Sequence, residues 1–87
     1  MSFISFEELS LDTVLYDIYD YQIVTLKFIA YLDNNYAIFV SQEYNKPVTV
    51  YRHRMSALYI DKYDALNALK DILQSKIDEI NMQLLLS

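Results

Sequence analysis

Apolar residues along this chain keep two different periods. From residue 62 onward Leu66, Leu69, Leu73, Ile77, Ile80 and Leu84 stand at steps of 3, 4, 4, 3 and 4, the spacing that brings side chains onto one stripe of an α-helix. Asn67, Lys70, Asp71, Gln74, Asp78, Glu79 and Asn81 fill the opposite side. Asp61, followed by Asp64, resembles a capping box, which places the helix start near Lys62 and puts acids at the positive end of the macrodipole. A helix over residues 62–84 is about 34 Å long, enough to cross a small sheet, and its stripe requires such a partner.

Upstream the period is two. Over residues 21–32, Val24, Leu26, Phe28, Ala30 and Leu32 fall on one face of a strand, while Ile23, Thr25, Lys27, Ile29 and Tyr31 fall on the other. Asp33, Asn34 and Asn35 then make a turn, because Asn tolerates left-handed backbone better than any residue but Gly, and residues 36–42 return as a second strand. Residues 43–47 read as the next turn and residues 48–51 as a third strand, with Val48 and Val50 inward. Residues 57–60 either prolong that strand past a bulge or form a short fourth one. Near the start, Ser5 and Glu8 form a capping-box pattern ahead of Leu9, Val14, Leu15 and Ile18, which suits a helix or two broken helical turns. The alternation of Val14, Tyr16 and Ile18 suits a strand equally. The expected fold is α+β: an antiparallel sheet of three to four strands, a long C-terminal helix packed on one face and an N-terminal helical segment, all in one domain over residues 1–87.

Composition removes several kinds of chemistry. Glycine is absent, where average usage predicts about six in a chain this long. A phosphate-binding P-loop, a dinucleotide fingerprint and a nucleophile elbow all need it, since only a residue without a side chain lets backbone turn or approach that closely. With no cysteine there is no disulfide, thiolate nucleophile or thiolate metal site, and an intracellular, cytoplasmic setting is expected. The opening residues carry no basic stretch ahead of an apolar run, so no leader is expected, and no uncharged run approaches the roughly 20 residues that span a bilayer.

His53 is the single histidine and the natural candidate for a general base. Arg52 and Arg54 beside it disfavour a charged imidazole, and no second histidine completes a relay. No catalytic residue, metal site or cofactor is expected. Arg52, His53 and Arg54 form the one basic cluster and a secondary binding patch, with strand alternation setting His53 on the Tyr51 face and both arginines on the other.

Twelve acids against seven bases give a net charge of -5, which argues against direct binding of nucleic acid. Residues 1–20 hold Glu7, Glu8, Asp12, Asp17 and Asp20 and no Lys or Arg. Tyrosine is enriched, nine in all, with Tyr16, Tyr19 and Tyr21 set among those acids. Acid together with tyrosine is an interface composition, because tyrosine offers a large apolar body with a polar tip at low entropic cost. Tyr21, Ile23, Ile29, Tyr31, Phe39 and Tyr51 are expected on the sheet face away from the long helix. A bare face of that size needs covering by the N-terminal segment, a second copy or another protein. The expected partner-binding residues are therefore Asp12, Tyr16, Asp17, Tyr19, Asp20, Tyr21, Tyr31 and Tyr51. Charge reversal at Asp17 and Asp20 is expected to weaken binding without lowering the melting temperature. Met82, Leu84, Leu85 and Leu86 offer a hydrophobic hook for dimerisation.

These features point to a small, non-enzymatic protein-binding module whose partner is a protein with a basic surface, with no membrane and with homodimerisation as a further mode. In size, acidity and a Tyr-, Ile- and Asn-rich composition the chain resembles small phage or mobile-element proteins that inhibit a host nuclease or defence complex, anti-CRISPR proteins among them. That resemblance implies work inside a bacterial host cell. The alternatives are a homodimeric structural or assembly protein and an immunity protein or antitoxin that neutralises a cognate toxin.

Overall fold

The computed structural model of the protein describes residues 4–87. Met1, Ser2 and Phe3, part of the start read above for a leader, lie outside the described residues. Four strands follow one another as an antiparallel meander: β1 (Val14–Tyr19), β2 (Gln22–Tyr31), β3 (Tyr36–Ser41) and β4 (Lys46–Tyr51), in the spatial order β1-β2-β3-β4. A 3-10 segment, Arg52–Ala57, leads from β4 to one long helix, α1 (Lys62–Leu86). The N-terminal helical segment is a single 3-10 turn, Phe6–Glu8. It is closed as its sequence suggests, with Ser5 N–H and Oγ both donating to Glu8 Oε1 at 3.3 and 2.6 Å. Residues 14–19 are strand rather than helix, so their alternation decides the matter.

The core forms on one side of the sheet. Leu15, Val24, Leu26, Phe28, Ala37, Phe39 and Val50 lie buried on this inner face, covered by Phe6 and Leu9 from the N-terminal segment and by Met55 and Leu58 from the segment after β4. Register explains the pairing: Leu15 stands opposite Leu26, Phe28 opposite Phe39, and Ala37 opposite Val50. The Phe28 and Phe39 rings meet edge to face at 5.6 Å, the arrangement the ring quadrupoles favour.

Face assignments made from alternation are overturned in β3 and at the end of β2, where Ala30 and Leu32, expected on the inner face, are exposed. Phe39, expected on the outer face, is fully buried in the core, because the hairpin register sets it opposite Phe28. Tyr31 also changes sides. The ladder slips between Phe28 and Ala30, and this bulge at Ile29 reverses the alternation beyond it. Tyr31 consequently packs on Phe6 and Phe28, at 5.1 Å between ring centroids in each pair, and its hydroxyl donates to the Phe6 carbonyl at 2.6 Å.

The cover of the inner face is the larger correction. It is not the long helix, since no α1 residue belongs to the core cluster. After Leu58 the chain pairs with the free edge of β1, where Tyr16 and Tyr59 exchange backbone hydrogen bonds of 2.8 and 2.9 Å. It then passes to the outer face, where Lys62 approaches Glu43, whose carboxylate is bonded to Thr25 on that face. Asp61 caps α1 by accepting from Tyr63 N–H at 2.8 Å; Asp64 makes no reciprocal bond among the described residues, so the expected box is one-sided. Ala65 is fully buried, Ala68 and Leu69 are half-buried, and every residue from Lys70 onward is exposed. The helix therefore rests on β1 and β2 by its first two turns and projects beyond them, giving the molecule a longest dimension of 51 Å.

Candidate interaction surface

α1 carries a long exposed apolar row, most of it on the projecting part. Leu66, Leu73, Ile77, Ile80 and Leu84 keep between 41 and 67% of their surface in solvent, and Leu85 and Leu86 are more exposed still. Beside this stripe stands the turn between β1 and β2. Asp20 and Tyr21 have φ of 53° and 62°, so both central residues of this two-residue hairpin turn are left-handed. An aromatic residue held there is strained, by roughly 1–2 kcal/mol. The turn aims Tyr21 at the helix, where it lines a shallow groove of about 410 Å³ with Leu73, Lys76 and Ile80. Lys76 lies between Glu79, at 3.6 Å, and the Tyr21 phenol; first Glu79 and then Tyr21 raise its pKa above the usual lysine range.

The basic cluster has been drawn into the fold. Residues 52–54 form a 3-10 turn, so strand alternation does not govern them. Arg52 pairs with Glu7, donates through Nε to the Asn34 carbonyl at 3.1 Å, and stacks its guanidinium 4.2 Å above the Phe6 ring. This pairing holds the Glu7 carboxyl below its ordinary pKa. Arg54 Nη2 meets Asp17 Oδ2 at 2.6 Å, with the Asp17 side chain only 14% exposed. His53 is exposed, its ring 5.2 Å from that of Tyr51, which in turn meets Tyr36 at 5.0 Å. Its imidazole takes part in no hydrogen bond among the described residues.

A second concavity, about 450 Å³, opens at the end of the inner face that the covering segments leave bare. Its floor is Val24, Leu26 and Val48, and its rim holds Tyr19, Tyr44, Lys46 and the Asp17–Arg54 pair. Ser41 at its base is 1% exposed and accepts from Tyr44 N–H at 3.1 Å. Among the described residues no three His, Cys, Asp or Glu side chains gather where a metal ion could be held, and no helix is long and apolar enough to cross a membrane.

The proposed contact residues thus separate into two sets. Tyr19, Asp20 and Tyr21 stand together at the exposed turn, with Asp12 in solvent elsewhere on the N-terminal segment. Tyr51 lies on the outer face, 39% exposed. Asp17 and Tyr31 instead spend their polar atoms inside the fold, and Tyr16 is half-buried with its backbone paired to Tyr59. Charge reversal at Asp17 would break its pair with Arg54, so a loss of stability is expected there beside any loss of binding. The exposed stripe of α1 was legible as a stripe, but its spacing says nothing of what covers it. The cleft residues Tyr44 and Lys46 had no sequence signal, since they meet only through the register of β3 and β4. Neither a family model, nor a curated protein, nor a solved structure matches this chain.

Proposed function

We propose that this protein acts by binding a protein surface and not by catalysis, and that α1 is the binding element. The observation that carries this reading is the projecting half of α1, whose aliphatic row is about half exposed. In proteins most helical stability comes from packing an amphipathic face, and an apolar row of this kind is how helices dock into partners. The chemistry available elsewhere agrees. Among the described residues no side chain is hydrogen-bonded to the His53 imidazole to orient it, and Arg52 and Arg54 are occupied by Glu7 and Asp17.

The reading as a phage or mobile-element inhibitor of a host nuclease draws its support from the β1–β2 turn, where Tyr19 and Tyr21 flank Asp20 in solvent beside the stripe. Acid and tyrosine there would meet a basic surface while the helix supplies apolar contact. The test is affinity capture with the native chain and with a Leu73→Glu, Ile80→Glu double variant. The reading expects the native chain to retain a partner, its own copy included, that the variant loses; an identical set of retained proteins would overturn it.

A further inference from the structure

The outward row of α1 repeats every eleven residues: Leu66, Leu69 and Leu73 are followed, each eleven positions on, by Ile77, Ile80 and Leu84. Eleven residues in three turns is about 3.67 per turn, close to the helix's own period, so the row runs nearly straight with a slight right-handed drift. We propose that this row is the seam of a homodimer, in which the α1 helices of two copies pack against each other from Leu73 to Leu84. This deepens the binding reading above and rests on it, by naming the partner as a second copy.

Three observations favour a second copy over other occupants. The first is regularity. A row that repeats without interruption offers the same knobs and gaps on both copies, which a two-fold pair requires, and from Lys70 onward every residue of the helix stays exposed, with Tyr21 alongside Leu73 and Ile80.

The second is the placement of charge. Each copy carries a net charge of -5, yet the acids Asp64, Asp71 and Asp78 stand seven apart and so share the side of the helix turned away from the row. The row's borders hold Lys70, Gln74 and Asn81 on one side, and Gln83 with the Lys76–Glu79 pair on the other. Like charges therefore do not meet at the seam. A basic groove would find no unpaired acid there, and the acidic back of α1 is the reverse of the basic polar face that lies on an anionic membrane.

The third is area. Leu73, Ile77, Ile80 and Leu84, each about half exposed, on the order of 100 Å² apiece, bring about 800 Å² into the seam from the two copies, just short of the roughly 1,000 Å² lower bound of a specific interface. Tyr21, 48% exposed and lining the groove beside Leu73 and Ile80, adds to it.

Sedimentation of the full chain from about 1 to 200 µM tests this, beside Ile80→Asp and a back-face control, Asp71→Asn. The native chain and the control are expected to reach twice the mass of a 10.3 kDa monomer, and Ile80→Asp to weaken the dimer about 100-fold or more. Because the chain has no cysteine, Ile80→Cys should also form an oxidised dimer readily while Asp71→Cys does not, a readout that does not depend on the aspartate variant folding. A native chain that stays monomeric at the top concentration overturns the homodimer; the binding reading then stands or falls by capture with the stripe variant. A dimer that survives Ile80→Asp and shows no preference for cross-linking at residue 80 overturns the seam.

Discussion

Leu26 and Leu73 allow one chemical change to be made in two environments. Leu26 is 2% exposed on the inner face, opposite Leu15, whereas Leu73 is 41% exposed on the part of α1 that has left the sheet. Leu26→Ala removes buried methyl groups from a site ringed by two neighbouring strands and leaves a cavity that β-ladders resist closing, a cost of about 3–4 kcal/mol. At roughly 2.1 cal/mol/K per residue, this 87-residue chain has an unfolding entropy near 0.18 kcal/mol/K, so the melting temperature should fall by about 17–22 °C. Leu73→Ala forfeits only part of a side chain's transfer energy, about 1 kcal/mol, and regains a few tenths from the better helix propensity of alanine. It should lower the melt by less than about 5 °C. Both changes belong in an Ile80→Asp background at low micromolar concentration, so that self-association does not enter, with melting followed by the β-sheet circular dichroism signal. If the two cost the same, the helix is packed on the sheet as far as Leu73 and the projecting arrangement is wrong.

Two further outcomes follow from the turn and from the paired acids. Tyr21→Gly relieves a left-handed aromatic residue at a position glycine takes freely. It should raise the melting temperature of an Ile80→Asp monomer by a few degrees while lowering the dimer's affinity, and a drop in monomer stability would show that the Tyr21 contact with α1 outweighs the strain. Glu7, Glu8 and Glu43 all have carboxyls held below the ordinary value of 4.5: the first by Arg52, the second by Ser5, and the third by Thr25 against the opposing effect of burial. A carboxyl with a depressed folded pKa gives stability that is complete above the unfolded value and is lost as pH falls through the folded one. Thermal melts should therefore be level from about pH 5 to 7 and decline below about 4.5; a decline that begins above pH 6 would assign the loss to another group.

The long helix and the β2–β3 hairpin were legible because each rests on many residues of one period. β1 was less so, since acids and tyrosines interrupt its apolar positions and a 3-10 turn ahead of it imitates a helix start. The Asp20–Tyr21 turn left no mark, because a chain without glycine must place ordinary residues in left-handed backbone. Register escaped as well: one bulge at Ile29 carried Tyr31 from the outer face to the inner one, at the margin of the core, and alternation counted along a single strand cannot detect a slip that exists only against its neighbour.

The choice of cover for the inner face shows why an apolar stripe and an apolar strand face need not belong together. Both surfaces exist in this chain, and joining them would bury both at once. The segment from Arg52 to Leu58 precedes α1 in the chain and reaches the inner face before it, because it leaves β4 within a 3-10 turn that Arg52 anchors to Glu7 of the N-terminal segment and to Asn34 of the β2–β3 turn. Met55 and Leu58 then meet Phe6 and Leu9 over the strands. Once those short segments close the core, Tyr59 is stitched to the β1 edge and α1 can only depart over the outer face. Its stripe is thereby released from the monomer. Loosening the Arg52 anchor should therefore expose the inner face and not the helix: Arg52→Ala should increase binding of a hydrophobic dye and amide exchange at Met55 and Leu58 while leaving exchange along Leu73 to Leu84 unchanged at a concentration where the chain is monomeric. Faster exchange confined to α1 would mean that the helix, and not the segment after β4, is what the anchor holds in place.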